Sequence, residues 1–512
     1  MNVRIRIDGQ EMSGDHWLRG RLYHDGHATA DAGALCAGWR GMDAWAAGLR
    51  RTNGFFALVH RQGAEVFAAV DHIRSIPLFF ATAGDEAYLS DDARWVRDQL
   101  GAGEGQGPAA TDFLLAGYVT GNETLVPGLS QLSSGDMVRL APGPGGMTAE
   151  VRRYWSYADT QAPPAPREEL EERFDAMLLS TFGRLVEMAA GRTIVVPLSG
   201  GNDSRLLLTM LKRMGYPRLV TFTYGREGNE ESVLSREVAR MLGVPWHFVP
   251  YDNASWRRWF LSEERKAYYA MADGLSSLPL LLDWPAVGEL RRRGIVPDDA
   301  VFAPGLTADV YAGSRSTRYP HLYRPGLPPV DEVVHVVLRS CVALWDWSRR
   351  EEEWYPVLAQ RVLSGLGDYA RFDDGGRALE AWEARERQPK YIVNSVRAYE
   401  FWGYDWWIPF WDKEFLDFWP NVPPDLRMDR VFYRGFVERL FARVSGVPQR
   451  QQPPTAGKAW LGPAVKRMVL RSPLYPVVRS GYRMVRSVTE YDRHPAAYYG
   501  MVPRDVFLRT AG

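Results

Sequence analysis

The sequence predicts an α/β protein in two parts: a β-rich amino-terminal part, then a doubly wound parallel sheet with a helical carboxyl-terminal region. Three observations predict it. Between about 194 and 252, apolar β-branched runs alternate with amphipathic segments at the spacing of strand–helix–strand units. The first run, Ile194 to Leu198, stops at Ser199-Gly200-Gly201-Asn202-Asp203-Ser204, and an apolar-periodic segment starts at once. Before about residue 157 the pattern is one of short strands broken by turn residues.

The elements follow in order. NGFFALVHRQGAEVFAAVD (53–71) reads as two strands around a turn at Arg61-Gln62-Gly63, and IPLFFAT and EAYLS continue the sheet. GAGEGQG (101–107) follows no strand and reads as a flexible linker. APGPGGM (141–147) reads as a long glycine- and proline-rich loop before a last strand, VRRYWSY. QAPPAPREELEERFDAML then gives a proline linker and an acidic helix start, which places a boundary near residue 165. Beyond it come a strand at 194–198, a helix at 204–214, strand LVTFTYG (219–225), a helix at 230–243 and strand WHFVPYD from 246. Such a sheet binds ligands at the carboxyl ends of its strands. From about 330 the chain reads as mostly helical, with no internal repeat. The division expected is 1–164, 165–460 and a basic extension, 461–512.

Composition narrows the function. The chain has 512 residues, enough for two or more domains, and a formal net charge of zero, so nothing global argues for nucleic acid. Two cysteines, Cys36 and Cys341, make neither a disulfide scaffold nor a zinc site, and the nine histidines show no ligand spacing. MNVRIRIDGQ has no signal core and no apolar run reaches spanning length, so a soluble cytoplasmic protein is expected. The arginine-rich tail from Lys466 reads as a solvated helix on the domain edge, or as a weak contact to a membrane surface or a polyanion.

The 199–204 stretch carries the chemistry. Backbone N–H groups at the head of a helix favour an anion, and two glycines let it approach closely. A helix cap alone needs less than two small hydroxyls, two glycines and an acid. The lysine-bearing phosphate loop is absent, because Gly457-Lys458 is followed by Ala459. A nucleophile elbow around Ser199 fails, since Pro197 stands where its first glycine belongs. SGGNDS resembles the S-G-G-x-D-S pyrophosphate loop of ATP pyrophosphatases, which cleave ATP between the α and β phosphates.

Four ordered matches extend the resemblance to the asparagine synthetases and their relatives, including β-lactam synthetases and lasso-peptide cyclases. NGFFALVHRQGAEVFAAVDHIRSIPLFFA resembles the hairpin and R-D-x-x-G-x-x-P-L-Y-Y segment of their amino-terminal glutaminase-type domain. TFTYG resembles the adenine-side strand after the loop, PGLTADVYAGS (304–314) the G-x-G-A-D-E-x-x-G-G segment, and WIPFWDKEFLDFWPNVPPDLR the R-x-P-F-L-D stretch. The resemblance implies an αββα glutaminase-type domain followed by an ATP-pyrophosphatase domain. It implies that a carboxylate attacks the α-phosphate of ATP, pyrophosphate leaves, and ammonia or an amine takes the acyl group. By the same resemblance Ser199, Gly200, Gly201, Asn202, Asp203 and Ser204 hold the phosphates, Thr221 and Phe222 line the adenine side, and Asp203 and Asp309 hold Mg2+. Lys458 stands where relatives have a lysine near the leaving pyrophosphate, and reads equally as a solvated loop lysine. Arg430 falls where relatives have a lysine facing the phosphates.

The pattern also breaks. Glutamine-dependent relatives expose a cysteine at position 2, where this sequence has Asn2, and no glutamine loop is present, so no glutaminase activity is expected. Three residues before Asp309, where relatives carry Glu or Tyr, stands Leu306. Asp405 or Glu400 would substitute for the missing acid; each also reads as a salt-bridged structural acid. The implied substrate is therefore a specialised small-molecule or glycan carboxylate rather than aspartate itself. Intramolecular ring closure and a non-catalytic scaffold remain as alternatives. Sulfur transfer to tRNA is disfavoured, since neither cysteine lies in a C-x-x-C motif.

Overall fold

The computed structural model describes residues 2–8, 10–12, 15–29, 31–159, 165–345, 347–454 and 490–511. Among the described residues the strands of the amino-terminal part are β1 (Asn2–Arg6), β2 (Gln10–Met12), β3 (His16–His24), β4 (His27–Ala28), β5 (Thr52–Gln62), β6 (Glu65–Val70), β7 (Phe79–Ala83), β8 (Glu86–Ser90), β9 (Ser130–Gln131), β10 (Asp136–Gly143) and β11 (Gly146–Arg153). One sheet runs β11-β10-β6-β5-β3-β2 with β4 on β3, and a second runs β1-β8-β7-β9. Side chains of a strand alternate between faces, and both faces of β5 are covered. Ala57 and Val59 join Val3, Ile76, Leu78 and Leu89 in one apolar cluster, whereas Phe56 and Leu58 join Trp45 and Leu49 of the helix Gly41–Arg50 in another. Burial on both faces is why FFALV reads as a continuous apolar run rather than an alternating one.

Two turns differ from the sequence expectation. Gln62 pairs with Glu65, so the hairpin turns on Gly63-Ala64, where Gly63 takes φ +63°. The expected long loop at 141–147 is itself a hairpin: Gly143 pairs with Gly146 around Pro144-Gly145. Pro142 is tolerated because β10 pairs with β6 only as far as Leu140, so no ladder bond is lost at the proline. The last strand ends at Arg153, and Tyr157–Asp159 form a short 3-10 turn.

The helix Arg167–Ala189 opens the second part. Its sheet comprises β12 (Ile194–Pro197), β13 (Leu219–Gly225), β14 (Trp246–Pro250), β15 (Val301–Phe302) and β16 (Asp405–Trp406), in the order β14-β13-β12-β15-β16 with every pair parallel. The helices Asn202–Arg213 and Glu230–Leu242 fall where the apolar periodicity places them. The chain leaves β12 toward β13 on one side and returns with β15 on the other. This reversal opens a crevice beyond the carboxyl ends of β12 and β15. The region after 330 is mostly helical, as expected. Among the described residues no helix is long and apolar enough to cross a membrane.

The two parts share packed and polar contacts. Phe55 meets Trp406 and Trp407, and the His72 imidazole bonds the Trp411 carbonyl at 2.6 Å. Buried Asp412 receives Nε and Nη2 of Arg184 at 2.6 and 2.8 Å and Nδ2 of Asn53 at 2.9 Å. Ala496 accepts from Trp256 Nε1 and Pro495 from Arg226 N, so this segment lies at the carboxyl end of β13 and against the helix Asn253–Leu261. Residues 455–489, which hold Lys458 and most of the basic tail, lie outside the described residues.

Candidate active site

The crevice is built by two loops. The first leaves β12 and enters the helix Asn202–Arg213 through an N-cap glycine, Gly201, which has no side chain to close the helix end. The next two helices along the sheet are capped differently: Asn229 accepts from Ser232 N and Asp252 from Ser255 N. The first N–H groups of the 202–213 helix thus remain for a ligand. Inside the loop the hydroxyls set the shape. Ser199 N donates to Ser204 Oγ at 3.1 Å, and Gly201 N to Ser199 Oγ at 3.2 Å. Thr223 Oγ1 donates to the Leu198 carbonyl at 2.6 Å and fixes the loop's origin.

The second loop follows β15. Gly305 packs directly on the helix head: a Cβ there would stand 2.8 Å from Ser204 N and 2.9 Å from Ser204 Cα. Backbone cannot yield as a side-chain tip would. Gly305→Ala is therefore expected to push the two loops apart and to lower the rate of AMP formation by roughly 10²-fold, as misplacements near 1 Å do. A steady-state assay of that variant, wild-type-like in its far-UV spectrum, checks this.

These loops bring Asp203 and Asp309 together. Asp309 N donates to Asp203 Oδ2 at 3.2 Å, Tyr433 Oη donates to Asp203 Oδ1 at 2.8 Å, and Arg430 Nη1 reaches Asp309 Oδ2 at 3.1 Å. Burial first, then the Asp309 carboxylate, push the Asp203 carboxyl well above the ordinary carboxylate range, while the Tyr433 hydroxyl holds it down. Three non-glycine residues around this pair, Thr307, Asp429 and Arg430, take left-handed backbone at φ +69°, +52° and +57°. Each costs on the order of 1–2 kcal/mol, strain of the kind that gathers at functional sites. Thr317 helps to hold the turn, accepting from Asp429 N at 2.7 Å and donating to the Gly313 carbonyl at 2.7 Å.

Nothing in the sequence singles out Tyr433, which stands in the first turn of the helix Val431–Ser445. Tyr433→Phe removes a bond worth about 1.5–3 kcal/mol to the ionised carboxylate. That bond favours the charged form, so its loss raises the Asp203 pKa further. The acid limb of the pH–rate profile is expected to move to higher pH, with activity lost first at the acid end.

Other expected residues stand elsewhere. Asp405 does not reach the crevice, which corrects the expectation that it supplies acid–base chemistry. It pairs in register with Val301, itself opposite Ile194, at the amino end of the parallel strands, and its exposed carboxylate binds Arg192 Nη1 at 2.6 Å. Glu400 binds Arg397 at 2.7 Å and accepts from Trp406 Nε1 at 2.8 Å. Thr221 and Phe222 lie on β13 beside the loop, but their side chains are committed elsewhere. Thr221 Oγ1 donates to the Pro245 carbonyl, and Phe222 packs on Phe302 in the core. Leu306 packs against the same core. Asn202 is buried, and among the described residues its Oδ1 has no partner.

Among the described residues no group of three or more His, Cys, Asp or Glu side chains is gathered for a metal. Two carboxylates that repel each other still suit one hard divalent cation, because Mg2+ commonly takes one or two carboxylates and completes its shell with water and phosphate oxygens. Cys36 and Cys341 are both buried; burial pushes the Cys36 thiol up to about 12 and the Cys341 thiol up as well.

Comparison with known proteins agrees with the loop. Residues 178–259 match the family model for asparagine synthase. A tRNA(Ile)-lysidine synthase of Parabacteroides distasonis is 34% identical over 73 residues, 14% of this chain and 17% of that enzyme. The chain thus spans about a sixth of that relative's length. Among solved structures, a U34-tRNA thiolase, NcsA, of Methanococcus maripaludis aligns at 10% identity over 70% of this chain and 84% of its own, with a TM-score of 0.24. Glutamine phosphoribosylpyrophosphate amidotransferase of B. subtilis aligns at 11% identity over 74% and 78%, with a TM-score of 0.19. Superpositions this loose add nothing to the assignment, which rests on the sequence match and on the loop it contains. Over residues 178–259, the stretch that holds the loop, the chain is similar to the asparagine synthases.

Proposed function

We propose that this protein is an ATP-dependent ligase that adenylates a carboxylate and passes the acyl group to ammonia or an amine, releasing AMP and pyrophosphate, without glutaminase activity. One observation carries the reading: an uncapped helix head and a carboxylate pair converge from adjacent strands on the crevice where the strand order reverses. In the first step a carboxylate oxygen of the substrate forms a bond to the α-phosphorus of ATP as the bond to pyrophosphate breaks. In the second, the amine nitrogen bonds to the acyl carbon, AMP departs with the bonding pair, and the nitrogen loses a proton.

The residues divide this work. N–H groups of the 199–204 loop and the head of the 202–213 helix receive the pyrophosphate oxygens as charge grows on them. Asp203 and Asp309 would hold Mg2+, which when bound neutralises charge on the phosphates. Arg430, whose Nη1 pairs with Asp309 Oδ2, would turn its guanidinium to a phosphate. The buried, high-pKa thiols of Cys36 and Cys341 are poor nucleophiles, which supports ammonia or an amine as donor and disfavours sulfur transfer.

The test is ATP turnover with magnesium, following AMP and pyrophosphate, across aspartate and a panel of sugar and amino carboxylates, with ammonium or glutamine as donor. AMP formed with ammonium and not with glutamine is the expected result. Glutamate released from glutamine would overturn the missing glutaminase. Absence of magnesium-dependent ATP binding would overturn the ligase.

A further inference from the structure

A second site lies away from the phosphate loop. Between the start of β7, the turn that follows β8 (91–94), the segment 270–277 and the stretch 394–400 is a cavity of about 470 Å³, within the range of small-molecule sites. No residue of the 199–204 loop lines it, nor does Asp309.

Its charges are unevenly paired. Around the wall, Arg94 grips Asp273 with both Nη atoms, Arg19 holds Asp91 at 2.7 Å, and Arg397 holds Glu400 at 2.7 Å. Arg74 is different. It is buried, and among the described residues no carboxylate forms an ion pair with it. Its Nε donates to the Leu132 carbonyl at 2.9 Å and its Nη2 to Gln131 Oε1 at 2.6 Å, both neutral acceptors. That leaves Nη1 and one N–H of Nη2, the end-on pair that meets a carboxylate with two parallel bonds. Among the described residues two further groups of the lining are buried without partners: the Ser277 hydroxyl and Arg397 Nε.

The backbone points the same way. Arg74 takes φ +52°, a conformation that costs an arginine on the order of 1–2 kcal/mol. Burying a guanidinium without a counter-ion costs more. Burial first, then the neighbouring Arg397 charge, push Arg74 down to about 9, against the weaker pull of the Glu386 and Asp71 carboxylates, which act on it without forming an ion pair. A side chain kept here against both penalties has a use that the protein alone does not satisfy.

We propose that this cavity binds a small, polar monocarboxylate whose carboxylate group is held end-on by Arg74. One uncommitted cation calls for one negative charge, so a phosphate dianion is the poorer fit. The rest of the wall combines those ion pairs with two more acids, Asp8 and Asp92, and with apolar Pro77, Phe79 and Met271, so the body of the ligand carries ammonium or hydroxyl groups on a short carbon frame, in the class of amino acids and sugar acids. The site joins the amino-terminal sheets to the second part of the chain.

The test is thermal unfolding of the full chain in sodium acetate, L-glutamate or D-glucuronate, each against sodium chloride at equal ionic strength. The expected result is a saturable rise in Tm, on the order of 2–4 °C, with glutamate or glucuronate and less with acetate. Arg74→Met is expected to match or exceed the wild-type Tm in chloride, since an unpaired buried charge is gone, and to lose the shift. Ser277→Ala, which changes no charge, is expected to keep the fold and weaken the shift. Asp203→Asn is expected to keep it in full. No rise above chloride with any of the three carboxylates would overturn the proposal. So would an undiminished shift in both Arg74→Met and Ser277→Ala, or a shift lost in Asp203→Asn.

Discussion

Asp203→Asn and Asp309→Asn are each expected to lower AMP formation by at least about 10²-fold, the scale of removing one preorganised charge-stabilising group. Asp203→Asn is also expected to raise the thermal stability of the nucleotide-free protein at neutral to mildly alkaline pH. Both effects have one source. Burial and the Asp309 carboxylate raise the Asp203 pKa above its value in the unfolded chain. Below about pH 4 both states hold the proton and there is no difference. As pH rises toward the raised folded value, the unfolded chain releases its proton while the folded chain keeps it, so stability falls. Asparagine cannot ionise and escapes this loss, so the variant's advantage is absent in acid and grows with pH, to at least ~1 kcal/mol. A buried acid that destabilises the empty protein is the sort of group kept for function. Melting curves at pH 5 and pH 8, with the AMP assay beside them, check both halves. Wild-type turnover in Asp203→Asn, or a stability gain as large at pH 5 as at pH 8, would count against this account.

Asp412→Ala is expected to cost about 3–5 kcal/mol, the usual penalty for stranding one partner of a buried ion pair. Asp412 is fully buried and accepts from Arg184, from Asn53 and from Glu414 N. It thereby ties β5 and the helix Arg167–Ala189 to the segment that follows β16. Its loss leaves a nearly buried guanidinium without its main counter-charge; Glu414 remains 3.0 Å from Nη1 but is itself half exposed. The paired replacement Arg184→Met with Asp412→Leu is expected to be milder than the sum of the single changes, because apolar side chains of similar size need no solvation. Urea unfolding followed at the first transition measures this. A single variant within ~1 kcal/mol of wild type would show that the pair contributes little.

The strands β12 to β14 and the two helices between them were legible because each is a local pattern: a β-branched run, a glycine turn, then apolar residues at the period of 3.6. The phosphate loop was legible for the same reason, since six consecutive residues carry both its turn geometry and its hydroxyls. The hairpin at 141–147 looks like a long loop in the sequence because glycine and proline mark a turn without showing how few residues it needs. Asp405 was misassigned because spacing to Pro409 says nothing about which end of a parallel sheet a residue occupies; the register with Val301 decides that, and it is non-local.

The sequence by itself determined the order of strands and helices around 194–252 and the glycine-rich turn that joins the first strand to its helix. Only the tertiary structure decided which side chains meet there. Asp203 and Asp309 are 106 positions apart, and Tyr433 lies 230 from Asp203. They converge because β15 inserts beside β12, and because Gly305 lets its loop rest on the helix head. The unpaired charge of Arg74 is likewise invisible in the sequence. Whether a buried arginine has a counter-ion depends on the chains that fold around it, and those come from Leu132, Gln131 and the segment after 270.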